Sequence, residues 1–147
     1  MGRGAIKCTT DISKLKASIN ERTNAILQKA IMDLMYIGEE AVRIAREEGN
    51  YEDHTQNLRS SIGYTVLLNG QPVRYGQPNQ NQTDEGEHAA DALLSRLKTK
   101  YPKGLVLIVC AGMNYAEYVE ARGYNVLTSA ELKAQQLAHR LMKRLAK

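Results

Sequence analysis

The chain contains no tryptophan and no phenylalanine, so its eight tyrosines supply every aromatic side chain. Tyrosine is favoured where one end of the ring is buried and the other meets water, which is typical of contact surfaces. Only two cysteines are present, Cys8 and Cys110, and they lie far apart in the sequence. A disulfide framework is therefore not expected, and a reducing compartment is the default.

Long hydrophobic runs are also missing. No stretch approaches the roughly 18 consecutive apolar residues of a membrane-spanning helix, so we expect no contact with a membrane. The first residues lack a long apolar segment, and we expect no secretory signal. At 147 residues and 43% hydrophobic, the chain is predicted to form a single domain, residues 1–147.

Residue patterns that carry catalysis are scarce. The three histidines, His54, His88 and His139, are scattered over the sequence. His88 and Asp91 have an i, i+3 spacing that could touch a metal, but no motif with ligand spacing accompanies them, so a solvated helix face is preferred. No glycine-rich phosphate loop occurs. The sequence therefore predicts no catalytic residue, metal or cofactor, and a protein that is not an enzyme.

A long amphipathic helix is the first element that the pattern predicts. Apolar residues recur at steps of three, four and seven from Ile12 to about Glu48, after an N-cap at Thr10 or Asp11. At ~1.5 Å per residue this helix is roughly 55 Å long. That is more than a small domain needs for its own core, so the helix either breaks near Gly38 or projects and packs on a neighbour.

The next segments predict a small sheet. Ile62–Leu68 alternates as a strand, Asn69-Gly70 suits a two-residue hairpin turn, and Gln71–Tyr75 returns as a second strand. Pro72 cannot donate to a strand ladder, which assigns the second strand to an edge. The unbroken apolar run Leu105–Ala111 predicts the central strand, because both of its faces must be covered.

The remaining segments complete the expected architecture. Gly49-Asn50 suits a left-handed helix cap, Gly76–Gly86 is a polar segment expected to be a mobile loop, and Glu87–Lys100 an inserted amphipathic helix. Thr128–Glu131 is a capping-box pattern that opens the last helix. Four leucines of that helix are expected to face inward: Leu132, Leu137, Leu141 and Leu145. We expect an α+β domain with a long N-terminal helix, a small antiparallel or mixed sheet (the hairpin plus the central strand) and a C-terminal helix.

The net charge of +4 is concentrated at the end of the chain. From Ser129 onward five basic side chains stand against one acidic one, and the remainder sums to zero. Cations favour the C-terminus of a helix through its dipole, and a basic helix also suits contact with a polyanion, so both interpretations stay open. The candidate contacts are Lys133, Arg140, Lys143 and Arg144.

Two segments carry a resemblance to known proteins. Asp53–Ile62 (DHTQNLRSSI) follows the long helix, and Asn114–Glu120 (NYAEYVE) follows the apolar strand. They resemble the Asp-x-Thr-Gly-x-Leu-Arg-x-Ser-Ile and Tyr-Ala-x-Tyr-Val-Glu signatures of the head–tail joining or tail-completion proteins of long-tailed phages, often described as minor tail components. The order of elements from Ile12 to Leu145 is also similar. Gln56 stands where a glycine is usual, so we expect the tight turn there to be built differently.

The resemblance implies a virion structural protein that acts by assembly and not by catalysis. Such proteins form homo-oligomeric rings, typically hexameric, between the capsid connector and the tail tube, with DNA passing through the lumen. Connector and tail-tube proteins are the implied partners, no cofactor is needed, and the location is the head–tail interface of the virion after assembly in the host cytoplasm.

The resemblance also implies that both signatures are folding motifs. Tyr115, Tyr118 and Val119 would pack on the sheet or on a neighbouring subunit, with the two alternatives equally open for the tyrosines. Glu117 and Glu120 would face solvent or an adjacent arginine. The residues that carry the two signatures are Asp53, Thr55, Leu58, Ile62, Tyr115, Tyr118, Val119 and Glu120.

Two other classes of function remain open at this point. One is a sequence-nonspecific nucleic-acid-binding module that uses the basic C-terminal helix. No aromatic residue lies within that helix, so such binding would be to the phosphate backbone. The other is a small hydrolase or nuclease, which would need acidic or histidine side chains that converge in the fold.

Overall fold

The computed structural model describes residues 9–75 and 84–147, with the side chains of residues 74 and 75 outside the description. The α+β prediction is confirmed, and the sheet is antiparallel. In chain order the described elements are α1 (Ile12–Glu47), α2 (Asn57–Ser60), β1 (Ile62–Leu68), β2 (Gln71–Tyr75), α3 (Asp84–Lys98), β3 (Leu105–Ala111), α4 (Ala116–Ala121) and α5 (Thr128–Leu145).

Helix α1 is continuous. Asp11 caps it, because its carboxylate accepts hydrogen bonds from the backbone N–H groups of Ser13 (2.9 Å) and Lys14 (3.4 Å). The helix does not break at Gly38. That glycine serves close packing instead, since a Cβ built on it would lie 2.4 Å from the ring of Tyr64. The chain divides into two compact units, Met1–Ala30 and Ile31–Lys147, and α1 runs through the boundary. The single-domain organisation stays a prediction.

The sheet has the strand order β2-β1-β3. Asn69 (φ 51°) and Gly70 (φ 78°) both adopt left-handed conformations, as a two-residue hairpin turn of type I′ requires. The edge position predicted for β2 is confirmed, whereas the central position predicted for β3 is wrong, because β1 pairs with both of its neighbours. An apolar run indicates that both faces of a strand are covered. It does not indicate whether both edges of the strand are hydrogen-bonded to neighbouring strands.

The two faces of the sheet pack against different helices. On one face, Ile62, Tyr64 and Val66 of β1 join the apolar side chains of the C-terminal half of α1 and of the α4–α5 region. On the other face, Leu67 of β1 and alternate residues of β3 pack against Leu94 of α3. Successive side chains of a strand point to opposite faces, so the residues of β1 and β3 contribute alternately to two apolar clusters, one on each face of the sheet. Both clusters belong to the fold of residues 31–147.

Several element ends differ from the sequence-based expectations. Gly49 does not adopt a left-handed conformation, and a Cβ on it would lie 2.2 Å from the ring of Tyr51. Residues 76–83 of the predicted mobile loop lie outside the described residues. Its last three residues, 84–86, form the first turn of α3, where Asp84 and Glu85 interact favourably with the helix dipole.

The beginning of α5 is also built differently. The predicted capping box does not form, and no side chain caps the helix from the position that precedes it. Asn125 accepts a hydrogen bond from the backbone N–H of Ser129 (3.0 Å) instead. Of the four leucines expected inside, Leu141 is buried and Leu137 half-buried, whereas Leu132 and Leu145 are exposed. A helix stripe can only be buried along the part that another element covers.

Candidate interaction surfaces

The first signature segment forms the turn that leads into β1. The carboxylate of Asp53 accepts a hydrogen bond from the backbone N–H of Arg59 (2.8 Å), and the hydroxyl of Thr55 accepts one from Asn57 (3.4 Å). Gln56 takes the left-handed conformation that glycine would adopt, with φ 60° and ψ 7°. Gln56 therefore carries a side chain at a backbone position that favours glycine, and the expectation that the turn is built differently from that of the phage proteins stays a prediction.

Buried groups fix this segment to α1. Leu58 and Ile62 point inward and are almost fully buried, as expected. Arg46 donates hydrogen bonds to the carbonyl oxygens of Arg59 (3.1 Å) and Ile62 (2.7 Å). Burial lowers the pKa of Arg46, because removing the charged guanidinium from water costs solvation free energy. The two carbonyl groups hold the guanidinium in place despite this cost. The segment therefore acts in folding, by joining the end of α1 to the sheet.

The structure brings the two signature segments together. Ser61 accepts hydrogen bonds from Gly112, through its carbonyl oxygen (2.9 Å), and from Met113, through its hydroxyl (3.3 Å). Tyr115 lies beside Thr55, and its pKa is raised mainly by burial and also by Asp53, against the opposing effect of a hydrogen bond with Thr55. Two motifs that lie more than fifty residues apart thus form one continuous structural region.

The tyrosines of the second signature lie on the surface. Tyr118 is 58% exposed and stacks against its own neighbour Arg122, whose guanidinium carbon is 4.6 Å from the ring centre. Tyr115 is 39% exposed. Packing inside the subunit therefore covers Tyr115 in part and leaves most of Tyr118 exposed, and packing of these rings on a neighbouring subunit remains a proposal. Val119 is half-buried and packs against the core.

Glu120 has a role that the sequence did not predict. Its carboxylate accepts hydrogen bonds from the backbone N–H groups of Val126 and Leu127 (2.9 Å each) and from the hydroxyl of Thr128. Burial alone would raise the pKa of Glu120, but the hydrogen bonds from Thr128, Leu127 and Val126 outweigh it and lower the pKa. Glu120 thus holds the start of α5 from a distance, while Glu117 faces solvent as expected.

The four candidate contacts on α5 fall into two pairs. Arg144 faces Asp33 of α1 at 3.9 Å, and Lys133 contributes, after Arg43, to lowering the pKa of Glu40. Arg140 and Lys143 are exposed, and no ion pair is found for them among the described residues. Within residues 9–75 and 84–147, Arg140 and Lys143 are thus the candidate contacts without an acidic partner.

No grouping of side chains in residues 9–75 and 84–147 could hold a metal ion. His88 and Asp91 are exposed, in keeping with the solvated helix face expected for them, and His54 and His139 are exposed as well. Cys110 is buried, and burial raises the pKa of its thiol to about 12, which makes it a poor nucleophile near neutral pH. Cys8 lies outside the described residues. No helix within the described ranges is long and apolar enough to cross a membrane.

The first half of α1 carries an exposed apolar stripe. Ile12 (67% exposed), Leu15 (50%), Ile19 (53%) and Ile26 (58%) lie on one face of the helix. At 100° per residue these four positions fall within an arc of about 60°. We refer to these four residues as the α1 stripe. Large aliphatic side chains that share one helix face at this exposure are typical of an interaction surface.

Charge is segregated along the chain, although the first 128 residues sum to zero. Residues 1–30 carry six basic and two acidic side chains, a net charge of +4. Residues 31–128 carry nine basic and thirteen acidic side chains, a net charge of −4. The unit that contains the α1 stripe is therefore basic, and the sheet region with its helices is acidic.

A cleft of about 970 Å³ opens between the C-terminal half of α1, β1 and α3. Its lining includes apolar side chains such as Tyr36, Leu67 and Leu94. Five acidic and three basic side chains also line it: Glu39, Glu40, Glu47, Glu87, Asp91, Arg43, Arg46 and Lys98. We refer to this as the α1–α3 cleft.

No known protein family, curated protein or solved structure matches the chain.

Proposed function

We propose that this protein is a structural component of a phage virion that joins or completes the head–tail interface by assembling into a ring. The observation that carries the proposal is the α1 stripe. Four large aliphatic side chains are at least half exposed in one row, and the described residues of their own unit contain no core that buries them. Assembly is the simplest use of such a surface.

The energetic scale of the stripe supports association. Removing the exposed part of a half-exposed leucine or isoleucine from water contributes about 1 kcal/mol. The four residues of the stripe together contribute on the order of 4 kcal/mol, a useful part of a subunit contact. Contacts that join unlike surfaces of identical copies close into rings when the rotation allows it.

The two signature segments also support the proposal of a head–tail joining or tail-completion protein. Tyr115 of the second segment lies beside Thr55 of the first, and Ser61 binds the two residues that directly precede the second segment, as two parts of one folding motif would. The exposed rings of Tyr115 and Tyr118 add amphipathic surface that the subunit itself does not cover. Tyrosine is enriched in protein interfaces because its ring packs while its hydroxyl stays hydrated.

Sedimentation velocity over a range of concentrations tests the assembly, and negative-stain imaging tests for a ring. We expect a closed ring, and we expect the ring to co-sediment with purified phage heads or tail tubes. A protein that stays monomeric at high concentration and does not bind virion parts would contradict the proposal.

A matched pair of variants identifies the surface. Ile19→Asp places a charge in the α1 stripe and is expected to abolish assembly. Ala17→Asp places the same charge at an exposed position on the opposite face of the same helix and is expected to leave assembly unchanged. Circular dichroism of both variants establishes that α1 remains folded.

A second candidate, nonspecific binding of nucleic acid by α5, is favoured by the exposed cations Arg140 and Lys143. Fluorescence anisotropy with duplex DNA at increasing salt measures it directly. Binding through phosphates predicts a steep loss of affinity with salt, and Arg140→Glu/Lys143→Glu should remove it. Weak binding without a salt dependence would exclude this candidate.

A further inference from the structure

We propose that copies of this chain associate head to tail, with the α1 stripe of one copy docked in the α1–α3 cleft of the next. The inference rests on the self-assembly proposed above and specifies which two surfaces meet. The α1 stripe lies within residues 1–30 and the α1–α3 cleft within residues 31–147, and the proposed contact joins the stripe of one copy to the cleft of another.

The charges that flank the α1 stripe complement those of the cleft. On a helical projection Lys16 lies on one side of the stripe, and Arg22 and Lys29 lie on the other, each within about 40° of its border. Lys14 and Glu21 lie on the opposite face. The stripe therefore presents an apolar row between basic borders.

The α1–α3 cleft offers the reverse arrangement. Apolar side chains of β1 and α3 contribute to its lining, and Glu87 and Asp91, four residues apart, lie on one face of α3. In the cleft Arg43 is already bound by Glu40 and Glu47, and Arg46 by carbonyl oxygens, so these two cations are occupied within the chain. Lys98 of α3 also lines the cleft, so five carboxylates stand against three cations and the lining is acidic overall. Its apolar base includes Leu67 and Leu94, which are almost fully buried.

The charges of the two surfaces are complementary. Binding of the apolar face of an amphipathic helix in a hydrophobic groove is a common recognition mode, in which the anchoring side chains recur at steps of three, four and seven residues. Pairing two α1 stripes with each other would place basic borders against basic borders. The head-to-tail contact places them against carboxylates, which favours the cleft of a second copy over a second stripe.

Charge reversal provides the first test, on the full-length chain by sedimentation velocity. Arg22→Glu/Lys29→Glu and Glu87→Lys/Asp91→Lys should each weaken association by about tenfold or more. Combining all four substitutions in one chain should restore most of the lost affinity. Lys14→Glu and Glu21→Lys are the matched controls, because both side chains are exposed on the face of α1 opposite the stripe, and they should change the affinity by less than about twofold.

Mixing provides the second test. The stripe variant Ile19→Asp keeps an intact cleft, and the cleft variant Glu87→Lys/Asp91→Lys keeps an intact stripe. An equimolar mixture should therefore form a dimer of the two variants and stop there, because only one intact stripe and one intact cleft remain to meet. A symmetric stripe-to-stripe contact would give no such dimer.

The outcomes separate this inference from the proposed function. If the wild-type chain is monomeric, both fail. If it forms a ring and the cleft variant assembles as well as wild type, or if the mixture stays monomeric, the ring stands and the head-to-tail contact is refuted. Rescue by the fourfold variant together with the mixed dimer supports the contact.

Discussion

Gln56 shows how strongly a single backbone position can be constrained. It is one of two non-glycine residues with a positive φ in the described ranges, and the other, Asn69, lies in a hairpin turn that favours asparagine. A side chain with a Cβ is disfavoured in the left-handed region by roughly 1–2 kcal/mol. The turn before β1 is therefore maintained by its surroundings, including the hydrogen bonds of Asp53 and Thr55.

Gln56→Gly should stabilise the protein. Relief of the strain is partly offset by the greater freedom of glycine in the unfolded chain, so we expect a gain of about 0.5–1 kcal/mol in the free energy of unfolding. Urea denaturation measures it. Gln56→Ala retains a Cβ and should give no gain, and equal gains in both variants would contradict the explanation.

Glu120 should be an important capping residue for α5. Glu120→Ala removes the acceptor for two backbone N–H groups and should lower the free energy of unfolding by about 1–2 kcal/mol. Glu117→Ala, on the same helix with an exposed side chain, is the control and should have little effect. The comparison is made by thermal or urea unfolding at neutral pH.

The contribution of Glu120 should also depend on pH. Its pKa is lower in the folded state than in the unfolded chain, so its stabilisation is present above the unfolded value of roughly 4.3 and is lost as the pH falls through the folded value. The difference in unfolding free energy between wild type and Glu120→Gln should therefore shrink towards pH 3. A constant difference from pH 7 to pH 3 would refute the assignment.

At the scale of elements, α1 is one helix with two kinds of surface. Its C-terminal half contributes Ile37, Ala41, Ile44 and Ala45 to the interior, whereas its N-terminal half exposes residues of the same periodic pattern. Periodicity alone cannot distinguish these halves, since both repeat every three to four residues. What distinguishes the C-terminal half is its burial against the sheet.

Gly38→Ala tests the close approach of α1 to the sheet. Helix propensity predicts a gain of about 1 kcal/mol from this change. Contact of the new methyl group with the buried ring of Tyr64 predicts a net loss of about 1–3 kcal/mol. The two expectations differ in sign, so a single denaturation experiment decides between propensity and packing.

At the scale of the whole molecule, charge and exposed apolar surface are distributed together. The basic N-terminal unit carries the α1 stripe, and the acidic region carries the α1–α3 cleft. An overall charge of +4 conceals this segregation. Charge that is separated along a chain steers identical copies into one relative orientation and disfavours contacts between like surfaces.

Hydrogen exchange should differ between the two halves of α1 and should depend on assembly. In dilute protein, amide groups of residues 12–30 should exchange faster than those of residues 37–45, because local opening exposes no core in the first segment. Raising the concentration until the protein assembles should slow exchange in residues 12–30. Equal protection of both segments at low concentration would contradict this interpretation, and Ile19→Asp should remove the concentration dependence.

The sequence alone determined the elements whose signals are local. The long helix, the hairpin at Asn69-Gly70 and the edge strand with Pro72 follow from periodicity, turn chemistry and a missing N–H, which involve residues close together in the chain. The candidate interaction residues followed partly from charge and partly from the resemblance of the two signature segments.

The tertiary structure decided what depends on distant partners. In the folded chain β1, and not β3, lies at the centre of the sheet. Glu120 binds the backbone at the start of α5. The α1 stripe is exposed, whereas apolar residues of the C-terminal half of the same helix are buried. The physical reason is the same in each case. Burial and edge pairing are properties of the surface that comes opposite a residue, and that surface belongs to another part of the chain or to another copy.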